Sequence, residues 1–128
     1  MFKLTTRLCT ACRLCMLSCT SAHQPDMQGI KMARLHIADA WPDKTTIEVC
    51  IACKDKPCIA ACPEEALCWD DHVVLDEARC TSCGECVSAC PVNGVQVHPV
   101  SGHPLICDTC TGQYTCVQTC PTGALARR

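Results

Sequence analysis

A small α+β fold of short strands and short helices, repeated along 128 residues, is what this sequence predicts. Three observations carry the prediction. Sixteen of the seventeen cysteines fall into four tandem quartets of closely similar spacing. The last three quartets each end in Cys-Pro, at Pro63, Pro91 and Pro121, followed by a short turn and a small-apolar pair. The chain holds one Phe, one Tyr and two Trp, too few aromatic groups for an interior of ordinary packing at this size.

The elements follow in chain order. The first quartet is Cys9-x2-Cys12-x2-Cys15-x3-Cys19, with a one-turn helical piece expected over Leu14 to Cys19. Ala33 to Ile37 and Thr46 to Val49 read as strands bracketing a turn at Trp41-Pro42-Asp43-Lys44. The second quartet, Cys50-x2-Cys53-x4-Cys58-x3-Cys62, runs through Pro63-Glu64-Glu65-Ala66 into a hairpin of Leu67 to Trp69 and His72 to Leu75 about Asp70-Asp71. The third, Cys80-x2-Cys83-x2-Cys86-x3-Cys90, carries a helical piece at Val87 to Ala89. It passes through Pro91-Val92-Asn93-Gly94 into a hairpin of Val95 to His98 and Leu105-Ile106 about Pro99 to Pro104. The fourth, Cys107-x2-Cys110-x5-Cys116-x3-Cys120, ends in Pro121-Thr122-Gly123-Ala124-Leu125, with Ala126-Arg127-Arg128 after it.

Four thiolates at such intervals are the ligand set of a cubane [4Fe–4S] cluster, and sixteen make four clusters. In the run C-x2-C-x2-C-x3-C-P the fourth cysteine ligates the other cluster of a pair. Proline biases the residue before it away from the helical region, so that cysteine leaves its helix extended and can aim at a neighbour. Gly84, after Cys83, is expected to let the backbone pass close to an inorganic sulfide, with Ala11 in the corresponding place of the first quartet. There Thr20 also replaces the proline, with the cysteine spacing intact.

Two other readings of the cysteines fail. A disulfide scaffold belongs to a secreted chain with an even count, whereas this count is seventeen and Met1 to Arg7 form no apolar signal region. Structural zinc takes two ligands from each of two separated knuckles, and here three ligands crowd one loop. The hydrophobic fraction of 48% includes every cysteine, and about a third of the chain remains without them. The clusters therefore serve as core, metal binding is linked to folding, and the iron-free chain is expected to be largely unfolded.

The segment Leu8-Cys9-Thr10-Ala11-Cys12-Arg13-Leu14-Cys15-Met16-Leu17-Ser18-Cys19, the following Ala33-Arg34-Leu35-His36-Ile37, and the second quartet from Cys50 to Pro63 resemble the four-cluster ferredoxin-like electron-transfer subunits of anaerobic oxidoreductases. The resemblance covers nearly the whole chain. It implies two bacterial ferredoxin-like dicluster modules, an outer one of residues 1–49 and 107–128 and an inner one of 50–106. It also implies that quartets pair first with fourth and second with third. Cys9, Cys12 and Cys15 would then share a cluster with Cys120, and Cys107, Cys110 and Cys116 with Cys19. Cys50, Cys53 and Cys58 would join Cys90, while Cys80, Cys83 and Cys86 would join Cys62. The 17-residue link from Pro63 to Arg79 suits this order, although pairing first with second and third with fourth stays open. The implied partner is the catalytic subunit of a molybdenum or tungsten pterin enzyme, a hydrogenase or a carbon monoxide dehydrogenase.

The leftover residues point to no further chemistry. Cys68, between Leu67 and Trp69, reads as a small buried hydrophobe. His23, His36, His72, His98 and His103 share no ligand spacing and read as loop and surface residues. No nucleophile–base pattern, phosphate loop or nucleotide fingerprint is present, so substrate chemistry belongs to another protein. No stretch is long and apolar enough to span a membrane. The net charge is −2, and each oxidised cubane with its four thiolates adds about two negative charges, which argues against nucleic acid as a partner. Residues 50–106 hold eight acids and three bases, the rest five acids and eight bases, a −5 and +3 split suited to orienting a wire between unlike partners. The expected function is single-electron relay in a reducing cytoplasm, co-export with a partner remaining open. The rival readings are a freestanding polyferredoxin, and a self-associating filament that links enzyme copies or a second redox partner.

Overall fold

The structure is a computed structural model that describes residues 2–26, 29–40 and 42–128. These residues form four two-stranded antiparallel sheets, four α-helices and a short 3-10 helix at Thr6–Leu8. Strands β2 (Leu35–Ala38) and β3 (Thr46–Val49) form the first expected hairpin. Trp41, the first residue of its expected turn, lies outside the described residues, as does Met1. Strands β4 (Leu67–Asp70) and β5 (His72–Leu75) form the second, and β6 (Val95–Val97) and β7 (Pro104–Ile106) the third. Asp70 pairs with His72, so Asp71 alone turns the second hairpin, at φ 57°. Aspartate tolerates that left-handed conformation better than most side chains.

One sheet was not expected. Strand β1 (Phe2–Leu4) pairs with β8 (Leu125–Arg127), Phe2 opposite Arg127, which joins the two ends of the chain.

The helices are α1 (Leu14–His23), α2 (Pro57–Ala60), α3 (Glu85–Ser88) and α4 (Thr115–Thr119). Three span a single turn and stop ahead of their Cys-Pro. Helix α1 runs ten residues, well past the expected end at Cys19. Thr20 has the backbone N–H and the freedom of φ that proline lacks, so nothing ends the helix there. Helix α1 packs on α4, and α2 on α3.

Two hydrophobic clusters result. One gathers Phe2, Met16, Ala33, Leu35, Ile37, Ile47, Val49, Ala124 and Leu125 around Cys15, Cys19, Cys107 and Cys116. Its centre is the β2–β3 hairpin, where strict alternation sends Leu35, Ile37, Ile47 and Val49 inward, each worth about 1.5–3 kcal/mol when fully buried. The second gathers Leu67, Val73, Val95 and Ile106 around Cys58 and Cys86. Cys50 packs against both. Cys68 corrects an expectation: it is exposed, because Leu67 before it takes the inward position and successive strand residues face opposite ways. Among the described residues, no helix is long and apolar enough to cross a membrane.

Candidate iron–sulfur sites

Each quartet is shaped by two residues in the left-handed region. The first stands directly before the second cysteine: Ala11 at φ 55°, Ala52 at 55°, Ser82 at 57° and Thr109 at 60°. The second stands two residues before the third cysteine: Arg13 at 60°, Lys56 at 44°, Gly84 at 80° and Tyr114 at 51°. Seven of these eight are not glycine, and each costs roughly 1–2 kcal/mol that the surrounding structure must offset. The second of the pair also caps the helix that follows, so the third cysteine always occupies the second helical position. Cys15, Cys58, Cys86 and Cys116 are all buried there. Gly84 takes this φ without strain and lines the same hollow as Cys62, Cys80, Cys83 and Cys86. Its counterpart in the first quartet is Arg13, not Ala11.

The Cys-Pro turns repeat as closely. Three residues after the cysteine, Glu65, Asn93 and Gly123 are left-handed at φ 50°, 50° and 68°. The small residue that follows turns its N–H back on the sulfur. Ala66 donates to Cys62 Sγ at 3.3 Å and Gly94 to Cys90 Sγ at 3.2 Å. Cys120 has the extended backbone expected before proline, and amides of its own turn reach its sulfur.

These loops bring the cysteines together in fours. One hollow is lined by Cys9, Cys12, Cys15 and Cys120, another by Cys50, Cys53, Cys58 and Cys90, and a third by Cys62, Cys80, Cys83 and Cys86. Cys19, Cys107 and Cys116 meet in the first hydrophobic cluster, with Cys110 beside Cys116. Each of the three hollows takes three cysteines from one quartet and one from another.

A set of four sulfurs suits iron–sulfur or zinc binding. Further observations fit a group richer in acceptors than the bare thiols. Backbone N–H groups of Ser82, Thr109 and Arg34 donate to Cys80, Cys107 and Cys19 at 3.4, 3.4 and 3.3 Å. Beside Cys19, the Thr20 hydroxyl is buried with no protein partner, a donor waiting for an acceptor. Burial, followed by neighbouring thiolates, pushes Cys15 up to about 11 and Cys116 up to about 12, and Cys107 is raised further. Burial also raises Cys50, Cys58 and Cys86. At Cys120 burial acts upward too but is outweighed by N–H groups of Leu125, Thr122 and Ala124 and by the Thr122 hydroxyl, so its thiol is lowered. Bound cations would favour the thiolate form of the buried sulfurs.

One polar cluster is absent from the expectations. His23, read as a loop or surface residue, is largely buried and paired with Asp108 at 2.9 Å, and Arg34 Nη1 lies 2.8 Å from the same carboxylate. His23 comes within reach only because α1 continues past Cys19. The side-chain hydrogen bonds pull Asp108 well below the usual carboxylate range against the opposing effect of burial, and raise His23 to about 10.

Two family models, each described as a 4Fe–4S dicluster domain, match residues 49–94 and 72–123, overlapping across the third quartet. The polyferredoxin-like subunit of an aliphatic sulfonate oxidoreductase from Pyrococcus furiosus is 35% identical over 91% of this chain and 69% of its own length. Subunit beta of an NADH-dependent phenylglyoxylate dehydrogenase from Aromatoleum evansii is 33% identical over 91% of this chain, which spans 27% of that protein. The putative electron transport protein YsaA of Escherichia coli K12 is 31% identical over 91% of this chain and 82% of its own.

Proposed function

This chain belongs to the 4Fe–4S dicluster family of ferredoxin-like proteins, and from that premise we propose that it relays single electrons through four [4Fe–4S] clusters as the electron-transfer subunit of an oxidoreductase. The observation that carries the reading is the gathering of twelve cysteines around three hollows, three from one quartet and one from another in each. In this reading the ligand sets are Cys9, Cys12, Cys15 with Cys120; Cys19 with Cys107, Cys110, Cys116; Cys50, Cys53, Cys58 with Cys90; and Cys62 with Cys80, Cys83, Cys86. Residues 1–49 and 107–128 form the outer module and 50–106 the inner.

A bound cubane supplies one-electron exchange. The chain's own work is to hold, space and shield. The third and fourth cysteines of a quartet stand four residues apart: Cys15 and Cys19 are one turn apart on α1, with Cβ atoms about 5–6 Å apart, whereas Cys62, Cys90 and Cys120 lie just beyond the ends of α2, α3 and α4. Each such segment therefore joins two ligand sets: Cys15 to Cys19, Cys58 to Cys62, Cys86 to Cys90 and Cys116 to Cys120. Between the modules, β3 lies in the outer core and leads directly into Cys50, which packs on both cores. The apolar residues around the sulfurs exclude water, and the backbone N–H groups turned on them stabilise added negative charge.

Substrate chemistry resides in this reading on a separate catalytic subunit, of the pterin, hydrogenase or carbon monoxide dehydrogenase classes that the resemblance implies. That relatives are named as subunits of oxidoreductases supports this. The test is anaerobic purification with iron and sulfide analysis. About sixteen of each per chain, the content of four cubanes, and co-elution with a larger redox protein are expected. Zinc, or about eight irons after full reconstitution, refutes the cluster count. A lone 13.8 kDa species refutes the subunit role and leaves a diffusing carrier, and a void-volume peak refutes it in favour of a filament.

A further inference from the structure

The four ligand sets differ in what surrounds them. At the edge of the set of Cys19, Cys107, Cys110 and Cys116 lies an arginine–carboxylate pair that is largely out of solvent on both sides, whereas the His36–Glu48 contact near Cys50 has its histidine 46% exposed. Asp108 directly follows Cys107 and accepts the N–H of Cys110 at 2.9 Å. Its carboxylate is gripped by Arg34 Nη1 at 2.8 Å and His23 Nε2 at 2.9 Å. The other ring nitrogen of His23 lies 2.8 Å from the Cys19 carbonyl and 3.9 Å from Cys19 Sγ. Arg34 donates its backbone N–H to Cys19 Sγ and its guanidinium to the Ile106 carbonyl, 3.3 Å in each case. The Thr115 hydroxyl lies 3.1 Å from Cys110 Sγ. By contrast, the Arg79–Glu65 pair near Cys62 and Cys80 is 3.9 Å long, with Glu65 85% exposed.

A guanidinium and a carboxylate thus sit against one ligand set, with the His23 ring hydrogen-bonded to the carboxylate, out of most of the solvent that would screen them. Reducing a cluster adds a negative charge, and its potential follows local charge, hydrogen bonds to sulfur and exposure. Resting on the ligand assignment above, we propose that Arg34 and Asp108 are positioning residues that set the reduction potential of this one cluster, Arg34 raising it and Asp108 lowering it. This cluster is thereby offset from the other three. Loss of a merely mechanical brace would admit water whichever residue was removed, and would move the potential one way for both variants. An electrostatic role predicts opposite signs.

The experiment is an anaerobic redox titration of the iron-loaded full chain, with any co-purifying subunit, followed by electron paramagnetic resonance. Arg34→Gln is expected to lower one potential so that electron sharing with the other three shifts at least tenfold, which is 59 mV for a one-electron couple. Asp108→Asn is expected to raise the same potential, and Arg34→Lys, which keeps the charge, to leave it near wild type. The backbone N–H to Cys19 survives in each. Shifts of the same sign for Arg34→Gln and Asp108→Asn, or none, overturn the proposal. If Arg34→Gln fails to hold iron, Asp108→Asn and Arg34→Lys carry the test with the same expected outcomes. Cys19→Ser and Cys116→Ser separate the two levels of inference. If they perturb different signals the ligand assignment has failed, whereas if they perturb one signal that the charge variants leave unmoved, only this proposal has.

Discussion

Replacing Gly94 with alanine adds one methyl group where backbone already fills the space. A Cβ on Gly94 would lie 2.5 Å from Cys50 N, 2.6 Å from the Val49 carbonyl carbon and 2.8 Å from Cys50 Cα. All three atoms are main chain, so no rotamer change relieves the contact. Overpacking of this kind costs typically about 1–3 kcal/mol, and backbone obstacles put this site at the upper end. The displaced strand carries Cys50, while the Gly94 amide donates to Cys90 Sγ, so the clash pries apart two sulfurs that line one hollow. Gly94→Ala should therefore lower stability by about 3 kcal/mol and release about four irons, one cubane, while the others stay loaded. The equivalent positions Ala66 and Ala124 already hold alanine, each 2% exposed, so the turn itself accepts a Cβ. Gly123→Ala is the control. It strains a left-handed φ of 68° but meets open space, and should cost about 1 kcal/mol without loss of iron. The assays are iron content and anaerobic thermal unfolding of both variants. A Gly94→Ala protein with full iron and wild-type stability would refute the reasoning.

Cys68→Ser should leave iron content unchanged because its thiol is exposed and lines none of the hollows, whereas Cys86→Ser, at a buried helical position, should lose or convert one cluster; iron analysis decides. Chelation of iron should abolish the far-ultraviolet circular dichroism of α2, α3 and α4, since helices of four or five residues do not persist without tertiary support. Neutralising the exposed Glu64, Glu65, Asp70 and Asp71 should slow electron exchange with one partner, an effect that fades as salt shortens the Debye length to about 8 Å. Neutralising Arg7 and Arg13, exposed on the other half, should slow exchange with the opposite partner at unchanged iron content. Arg127 is a poorer probe than its charge suggests, because its guanidinium stacks 5.1 Å from the Tyr114 ring centre.

The quartets, the three internal hairpins and the extended Cys120 were legible because each depends on a few neighbouring residues of marked preference: cysteine at fixed spacing, alternating β-branched runs, proline after the fourth ligand. The left-handed residues were not. Alanine, lysine, arginine and tyrosine give no local sign of positive φ, which is imposed by the loop geometry around them. Aligning Gly84 with Ala11 followed from seeing only the glycine of the series. Pairing of Phe2–Leu4 with Leu125–Arg127 was hidden for a different reason: three-residue strands carry almost no periodicity, and their partner lies at the far end of the chain. The His23–Asp108 contact spans 85 residues and needs α1 to outlast Cys19. Its one local trace was Thr20, noted as a missing proline yet not followed to the longer helix it permits.

The union of β1 with β8 also imposes an order on biosynthesis. Everything that packs α2 on α3, with the β4–β5 and β6–β7 hairpins, lies between residues 57 and 106, and is available as soon as that stretch has left the ribosome. Leu4, by contrast, waits for Leu125. At about 5–20 residues per second, that delay is about 6–24 s, during which Cys9, Cys12, Cys15 and Cys19 emerge into the cell without the segment that closes over them. These four cysteines are thus made well before the strand that pairs beside them. Whatever delivers iron and sulfide meets a nascent chain whose middle is ready before its beginning.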